Sequence, residues 1–316
     1  MNGTRCVNFL NSQGATLRGM LHEPDPRIAR GICIMLLSPG IKGRVGPHRL
    51  YLKMAGRLVG LGFHVLRFDF AGLGDSDGAV NESVLANVYS SIQSGRYVGD
   101  TIAAMDWMER ECGVDQFVGS GLCGGSITAL LAGAGDLRMK SMLALSIPTV
   151  LDGGEANWGR FATSQQLPGI RRGYIMRLVK ADAWRRFLTG QSNYRTMWRS
   201  LRAALPYFRE ASLETATVVD AVADPVDDTN PKFAPAFLTF LRSRRPMLLV
   251  FSGGDRHQWN FEEKFVARNR ANLEPLTSYY EVRTIANANH ILSDPAWVRE
   301  LLELLVGWLD RTHPAG

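Results

Sequence analysis

The chain has 316 residues, of which 46% are hydrophobic, 21% are charged and 9% are aromatic. This composition is typical of a globular protein with a large core, and it excludes a disordered or fibrous chain. The net charge is +6 at pH 7, and no apolar run reaches the roughly 18–20 residues that span a bilayer, so we expect no stable membrane insertion.

Predicted strands alternate with predicted helices over most of the chain. A hairpin is expected at the start, where Arg5–Leu10 and Ala15–His22 flank a polar turn. Helical spacing of apolar residues marks segments 50–61, 98–111 and 296–309. Further strands are predicted at Gly31–Leu37, His64–Phe70, Gln116–Ser120, Met142–Ile147, Met247–Ser252 and Tyr279–Ile285. The alternation predicts an α/β fold with a mostly parallel central sheet and helices on both of its faces.

The alternation breaks between residues 151 and 245. Glycines open this stretch, Asp-Pro and Asn-Pro pairs lie near its end, and its mostly helical-looking sequence contains three Trp and three Tyr residues. We therefore predict that residues 1–150 and 246–316 form the core, and that residues 151–245 are inserted as a helical lid.

The stretch GSGLCGGS at residues 119–126 has the form of a nucleophile elbow, G-x-S-x-G, with Cys123 in place of the serine. In an elbow the reactive residue occupies a tight strand-to-helix turn. Glycines are needed at positions 121 and 125 because side chains there would prevent the two backbones from passing. The helix N-terminus also favours a thiolate. A glycine-rich bend around a buried core cysteine is the alternative interpretation.

A second motif, DFAGLGDS at residues 69–76, is similar to the D-x-x-G-x-G-x-S loop of the α/β-hydrolase superfamily. Together with the elbow, it gives the chain a resemblance to that superfamily over about residues 4–150 and 246–312. The Cys elbow ending in Gly-Gly resembles those of dienelactone hydrolases and polyhydroxyalkanoate synthases. The predicted lid is longer than that of dienelactone hydrolases, and the chain is shorter than most polyhydroxyalkanoate synthases. The resemblance implies the α/β-hydrolase fold.

The resemblance also implies the chain order nucleophile, acid, histidine. His290 follows the last predicted strand and is the expected base, whereas His257 comes too early in the chain for that role. Asp255 follows the strand that ends at residue 252 and is the expected acid, which would orient the imidazole and stabilise its charged form. Asp227 and Asp228 are the alternative acids.

An oxyanion hole needs two N–H donors aimed at the substrate carbonyl oxygen. By the family pattern, one comes from Gly124, next to the nucleophile, and the other from the loop after the first parallel strand, where Ile41 matches best. His48 lies farther along the same loop and is a candidate substrate contact, as are Trp158 and Trp184 of the predicted lid.

These residues predict an acyl hydrolase or acyltransferase acting on an ester or thioester through a Cys123 thioester. A neighbouring histidine can deprotonate a thiol, whose ordinary pKa of about 8.5 is far below that of a serine hydroxyl. The thioester intermediate is open to attack by water, alcohols, amines or thiols. A non-catalytic binding protein of the same fold is the alternative, and replacement of an elbow serine by cysteine would give the same sequence pattern.

Positive charge is concentrated in residues 156–209, which contain eleven Lys and Arg residues and a single acidic residue. A solvated helical surface is one explanation. The other is attraction of an acidic partner, such as acyl-CoA or an acyl carrier protein. No nucleic-acid motif accompanies the charge, so nucleic acid is not expected as a partner.

The four cysteines, at positions 6, 33, 112 and 123, have neither zinc-site spacing nor a C-x-x-C pair. We therefore predict free thiols and no metal or cofactor. The first residues lack the apolar core of a signal peptide, so a cytoplasmic location is expected.

Overall fold

The computed structural model describes residues 3–82, 85–151 and 227–315. Within these ranges no helix is both long and apolar enough to cross a membrane. In this described part of the chain, eight strands form one sheet: β1 (Gly3–Leu10), β2 (Thr16–Glu23), β3 (Ile32–Leu37), β4 (His64–Phe68), β5 (Gln116–Leu122), β6 (Met139–Leu145), β7 (Met247–Ser252) and β8 (Tyr280–Ile285). Each predicted strand is therefore present, with ends that differ by no more than three residues.

The helices of the described ranges also include the three that the sequence predicts. The longer ones are α1 (Leu50–Val59), α2 (Leu85–Gln93), α3 (Val98–Cys112), α4 (Gly124–Gly135), α5 (Phe233–Arg242) and α6 (Pro295–Thr312). Short helical turns lie at Pro26–Ile28, Pro47–Arg49, His257–Asn260, Phe261–Val266, Ala267–Asn269, Arg270–Leu273 and Glu274–Tyr279.

The sheet is mostly parallel, as predicted. Its strand order is β1-β2-β4-β3-β5-β6-β7-β8. β1 pairs with β2, and β2 with β4, in antiparallel orientation, whereas all the other pairs are parallel. Parallel strands bring their carboxyl ends to one edge of the sheet, where ligands bind in open α/β folds.

Helices cover both faces of the sheet, which is why its central strands are apolar along their whole length. All six residues of β3 are buried, and they alternate between two hydrophobic clusters. Cys33, Met35 and Leu37 pack in the cluster that includes side chains of α2, α3, α4 and α5. Ile32, Ile34 and Leu36 pack on the opposite face with side chains of α1 and α6.

Helix α5 lies within the range 151–245 that was predicted as a lid, yet it is part of the core. Phe233, Phe237, Phe240 and Leu241 are fully buried, and α5 belongs to the same compact unit as the eight-stranded sheet. Phe237 of α5 contacts Tyr280 of β8, with ring centroids 5.8 Å apart, so the C-terminal end of the predicted insertion packs in the core. Residues 152–226 lie outside the described residues, and the lid stays a prediction.

Candidate active site

Cys123 occupies the turn between β5 and α4, as the elbow motif predicts. Its backbone has φ 52° and ψ −113°, which L-residues rarely adopt and which costs on the order of 1–3 kcal/mol. The N–H of Cys123 donates to the Leu145 carbonyl at 2.9 Å. Its carbonyl accepts from the N–H groups of Ser126 at 3.0 Å and Ile127 at 3.2 Å. These bonds hold the residue in its strained conformation.

Two glycines of the elbow are required by close backbone contacts. A Cβ on Gly121 would lie 2.5 Å from the carbonyl carbon of Gly125. A Cβ on Gly125 would lie 2.2 Å from the carbonyl oxygen of Leu37, at the end of β3. The first turn of α4 thus packs directly on the ends of β3 and β5, which fixes the position of Cys123.

Cys123, His290 and Asp255 come together at the carboxyl edge of the sheet. The Nδ1–H of His290 donates to Oδ2 of Asp255 at 2.9 Å. A nitrogen of the same ring lies within 4.8 Å of the Cys123 sulfur. Because Nδ1 faces Asp255, the ring nitrogen toward the sulfur is Nε2. Asp255 is nearly buried and His290 about one-third exposed.

The neighbours of His290 favour its protonated form. Burial lowers the pKa of the imidazole, but the hydrogen bond to Asp255 and the interaction with the nearby Cys123 sulfur together raise it to about 10. For Asp255, burial raises the pKa of the carboxyl group, yet the hydrogen bond from His290 and the charge of His257 hold it below its usual value. An imidazolium between a carboxylate and a sulfur is the state that follows proton transfer from a thiol to its base.

Two further donors, which the sequence reasoning missed, orient Asp255. The buried Ser146 hydroxyl donates to Oδ2 of Asp255 at 3.0 Å, and the backbone N–H of His257 donates to Oδ1 at 2.9 Å. Ser146 directly follows β6 and has a φ of 43°. A polar residue at the carboxyl end of a strand beside the nucleophile strand was the signal that could have identified it.

Tyr51 is a second residue that the sequence reasoning missed. Its fully buried hydroxyl donates to the Leu37 carbonyl at 2.7 Å and accepts from the Leu122 N–H at 2.8 Å. The hydroxyl therefore joins the end of β3 to the residue that precedes Cys123. Nothing in the local sequence distinguishes this tyrosine from other apolar positions of α1.

The loops that carry the acid and the histidine are tied to each other. Gly253 N–H donates to the Ile285 carbonyl at 3.0 Å, and Gly254 N–H donates to the Ala288 carbonyl at 2.8 Å. A Cβ on Gly254 would lie 2.7 Å from that Ala288 oxygen, so only glycine fits there. The glycines before Asp255 thus set the spacing between the acid and His290.

The other candidate residues have different surroundings. Of the two alternative acids, Asp228 forms an ion pair with Lys264. His257 stands beside His290, with ring centroids 5.1 Å apart. His48 is exposed in the turn Pro47–Arg49, and its role as a substrate contact stays a prediction. Trp158 and Trp184, the other predicted substrate contacts, lie outside the described residues.

The predicted oxyanion donors lie on adjoining segments. Gly124 begins α4, and the first N–H groups of a helix have no acceptor within it. A Cβ on Gly124 would lie 3.3 Å from the backbone nitrogen of Gly40, so the loop after β3 runs beside this turn. The N–H of Gly40 donates to Ser38 at 2.9 Å, and the next N–H is that of Ile41. The oxyanion roles of Gly124 and Ile41 stay predictions.

Comparison with known proteins gives matches in structure alone. No family model matches the sequence, and no curated protein matches it. An esterase from Pyrococcus furiosus is similar with a TM-score of 0.59 and 14% identity, over 99% of this chain and 93% of the esterase.

Two further solved structures have the same fold. A dienelactone hydrolase from Anabaena variabilis is similar with a TM-score of 0.53 and 14% identity, over 99% of each chain. An α/β serine hydrolase without a lid, from Xanthomonas campestris, is similar with a TM-score of 0.52 and 13% identity, over 99% of this chain and 96% of that one. At these identities the matches establish a common fold.

Proposed function

Since the chain has the α/β-hydrolase fold, with Cys123, His290 and Asp255 joined at the carboxyl edge of its sheet, we propose that it is an ester or thioester hydrolase with Cys123 as nucleophile. The observation that carries the proposal is the position of the His290 ring, which is hydrogen-bonded to Asp255 at 2.9 Å on one side and has a nitrogen within 4.8 Å of the Cys123 sulfur on the other. The esterases and hydrolases among the similar structures support the reaction class.

Acylation begins with transfer of the Cys123 thiol proton to Nε2 of His290. The sulfur forms a bond to the acyl carbon, and the carbonyl electron pair moves onto the oxygen. The N–H groups of Gly124 and Ile41 stabilise that oxyanion. As the carbonyl re-forms, the bond to the leaving group breaks, and the leaving oxygen or sulfur takes the proton from His290. Asp255 keeps the imidazole in the required tautomer throughout.

Deacylation repeats these steps with water as the nucleophile. His290 takes a proton from water, and the hydroxide oxygen attacks the carbon of the thioester. Collapse of the intermediate breaks the carbon–sulfur bond, releases the acid, and returns the proton of His290 to the sulfur. An alcohol, amine or thiol that replaces water would give acyl transfer instead, because each can attack a thioester.

The substrate's carrier is proposed from charge. The basic residues of segment 156–209 suit an anionic carrier such as coenzyme A or an acyl carrier protein. Hydrolysis of an acyl-CoA should then have a lower KM than that of a neutral ester with the same acyl group. The difference should shrink as salt is added, since exposed charges are screened. If the acyl-CoA and the neutral ester have equal KM values at both low and high salt, the anionic carrier is no longer part of the proposal.

The hydrolase is tested with p-nitrophenyl esters of different chain length. We expect steady release of p-nitrophenolate by the wild type and none above background by Cys123→Ala. The matched control is Cys6→Ser, which changes an exposed cysteine of β1 and should retain wild-type kcat/KM. Wild-type activity in Cys123→Ala would contradict the proposal. Absence of turnover by the wild type, with ester binding retained, would favour the non-catalytic binding protein.

A further inference from the structure

Three soft ligand groups converge at the carboxyl edge of the sheet. One ligand atom each of Cys123, His257 and His290 lies within 4.8 Å of the other two. The three residues come from the elbow, from the turn after β7 and from the loop after β8. His257 is held in place because its backbone N–H donates to Asp255 at 2.9 Å, the same carboxylate that binds His290.

Thiolate and imidazole are the ligands that Zn²⁺ prefers. With Zn–S bonds of about 2.3 Å and Zn–N bonds of about 2.0–2.1 Å, the ligand atoms of a tetrahedral site are roughly 3.4–3.6 Å apart. The distances between the three ligand atoms, which are at most 4.8 Å, therefore exceed that spacing by little more than 1 Å. Side-chain torsions alone can supply a movement of this size.

The hydrogen bonds around the cluster match those of known metal sites. His290 donates its Nδ1–H to Asp255, which leaves Nε2 to face a cation. A carboxylate that accepts the second N–H of a ligating histidine fixes the ring and increases its basicity. Three protein ligands also leave a fourth position for water, the coordination pattern of open zinc sites.

We propose that Cys123, His257 and His290 bind one soft divalent cation of the Zn²⁺ type, and that the bound cation reversibly blocks the nucleophile. The cation takes a lone pair from the Cys123 sulfur and one from each imidazole. The thiol proton of Cys123, which would otherwise pass to His290, is released to solvent. Mg²⁺ and Ca²⁺, which prefer oxygen ligands, should not bind. The metal site is inferred from the geometry alone, whereas inhibition of catalysis by the cation rests on the proposed function.

Co²⁺ is the direct probe, because a cobalt–thiolate bond gives a charge-transfer absorption that needs no turnover. Titration of the metal-free full chain should produce this band together with the visible bands of tetrahedral Co²⁺, and Zn²⁺ should abolish both by displacement. His257→Ala should weaken Co²⁺ binding by more than about 100-fold, since loss of an outer-shell partner already costs 10–100-fold. His48→Ala, which changes an exposed histidine, is the matched control and should bind like the wild type.

His257→Gln is the second variant, because its side chain keeps a similar size, and circular dichroism verifies that both variants are folded. The inference is overturned if the wild type gives no cobalt–thiolate band. It is also overturned if His257→Ala and His257→Gln are both folded and bind Co²⁺ with wild-type affinity. Ester hydrolysis that is inhibited by Zn²⁺ and restored by a chelator would support the block. A chain that binds Co²⁺ but hydrolyses no ester would disprove the proposed function and leave the metal site intact.

Discussion

Replacement of Gly125 by alanine should both destabilise the fold and misplace the nucleophile. The added Cβ would lie 2.2 Å from the carbonyl oxygen of Leu37 and 3.0 Å from that of Ser38. Because non-bonded atoms prefer separations of about 3.5 Å, the first turn of α4 would have to move roughly 1 Å away from the end of β3. Both contacts are backbone atoms, so a side-chain rotation cannot relieve them.

The expected losses of stability and of activity follow from this displacement. Overpacking a tight site costs about 1–3 kcal/mol, and a backbone contact this short belongs at the upper end, about 3 kcal/mol. A shift of about 1 Å in catalytic groups lowers activity by about 100-fold. We therefore expect Gly125→Ala to unfold at a clearly lower urea concentration than the wild type, and to hydrolyse p-nitrophenyl esters about 100-fold more slowly while still folded.

Gly135→Ala, at the other end of α4, is the matched control. Among the described residues, no atom outside its own helix and its chain neighbours lies within 4 Å of the Cβ position at Gly135, so alanine there should be neutral or stabilising by about 0.5–1 kcal/mol. The measurements are urea unfolding followed by near-ultraviolet circular dichroism, and kcat/KM. If Gly125→Ala matches Gly135→Ala in both measurements, the steric account of the elbow is refuted.

The remaining predictions concern the side chains of the site. Cys123→Ser should be far slower than the wild type, because a hydroxyl is harder to deprotonate than a thiol; a faster variant would indicate a site built for serine. Asp255→Asn should lower kcat/KM by at least about tenfold but less than the roughly 10⁴-fold seen in a serine triad, since a thiol needs less help from its base. Asp228→Asn should retain wild-type kcat/KM, and the reverse result would move the acid to Asp228. The pKa of His290 is about 10 in the folded chain and 6.5 without its neighbours, so its imidazolium stabilises the fold fully below pH 6.5 and loses this effect as pH rises to about 10. Urea midpoints of the wild type should therefore fall across that range relative to His290→Gln, and parallel pH profiles would contradict the pKa shift.

The sheet could be predicted because its strands are buried on both faces and are therefore continuous apolar runs. The bounds of β7, Met247–Ser252, match the prediction. Helix α2 was missed because LANVYSSIQ has too short an apolar pattern to indicate a helix by itself. Helix α5 falls in the predicted lid because the strand–helix alternation is broken around it. Yet its phenylalanines at positions 233, 237 and 240 have helical spacing, the signal that predicts a core-facing helix.

The candidate site was predictable in part because each of its three main side chains follows a recognisable strand. The approach of His290 to both Asp255 and Cys123 agrees with the predicted arrangement, while their catalytic roles stay predictions. Ser146 and Tyr51 could not be found, because a hydroxyl's partners depend on how distant segments pack. The proximity of His257 to Cys123 has the same origin, since neither spacing nor motif relates these residues in the sequence.

The central claim, that Cys123 becomes acylated, is tested most directly by mass spectrometry after reaction with an activated acyl ester and rapid acid quenching. Trypsin should release residues 111–138 as one peptide, which contains both Cys112 and Cys123, so fragmentation must assign the adduct to one of them. We expect a single acyl group on Cys123, formed within one turnover, lost at the rate of hydrolysis and absent from Cys123→Ala. An adduct that forms on another residue at the rate of turnover, or turnover by Cys123→Ala at the wild-type rate, would contradict it.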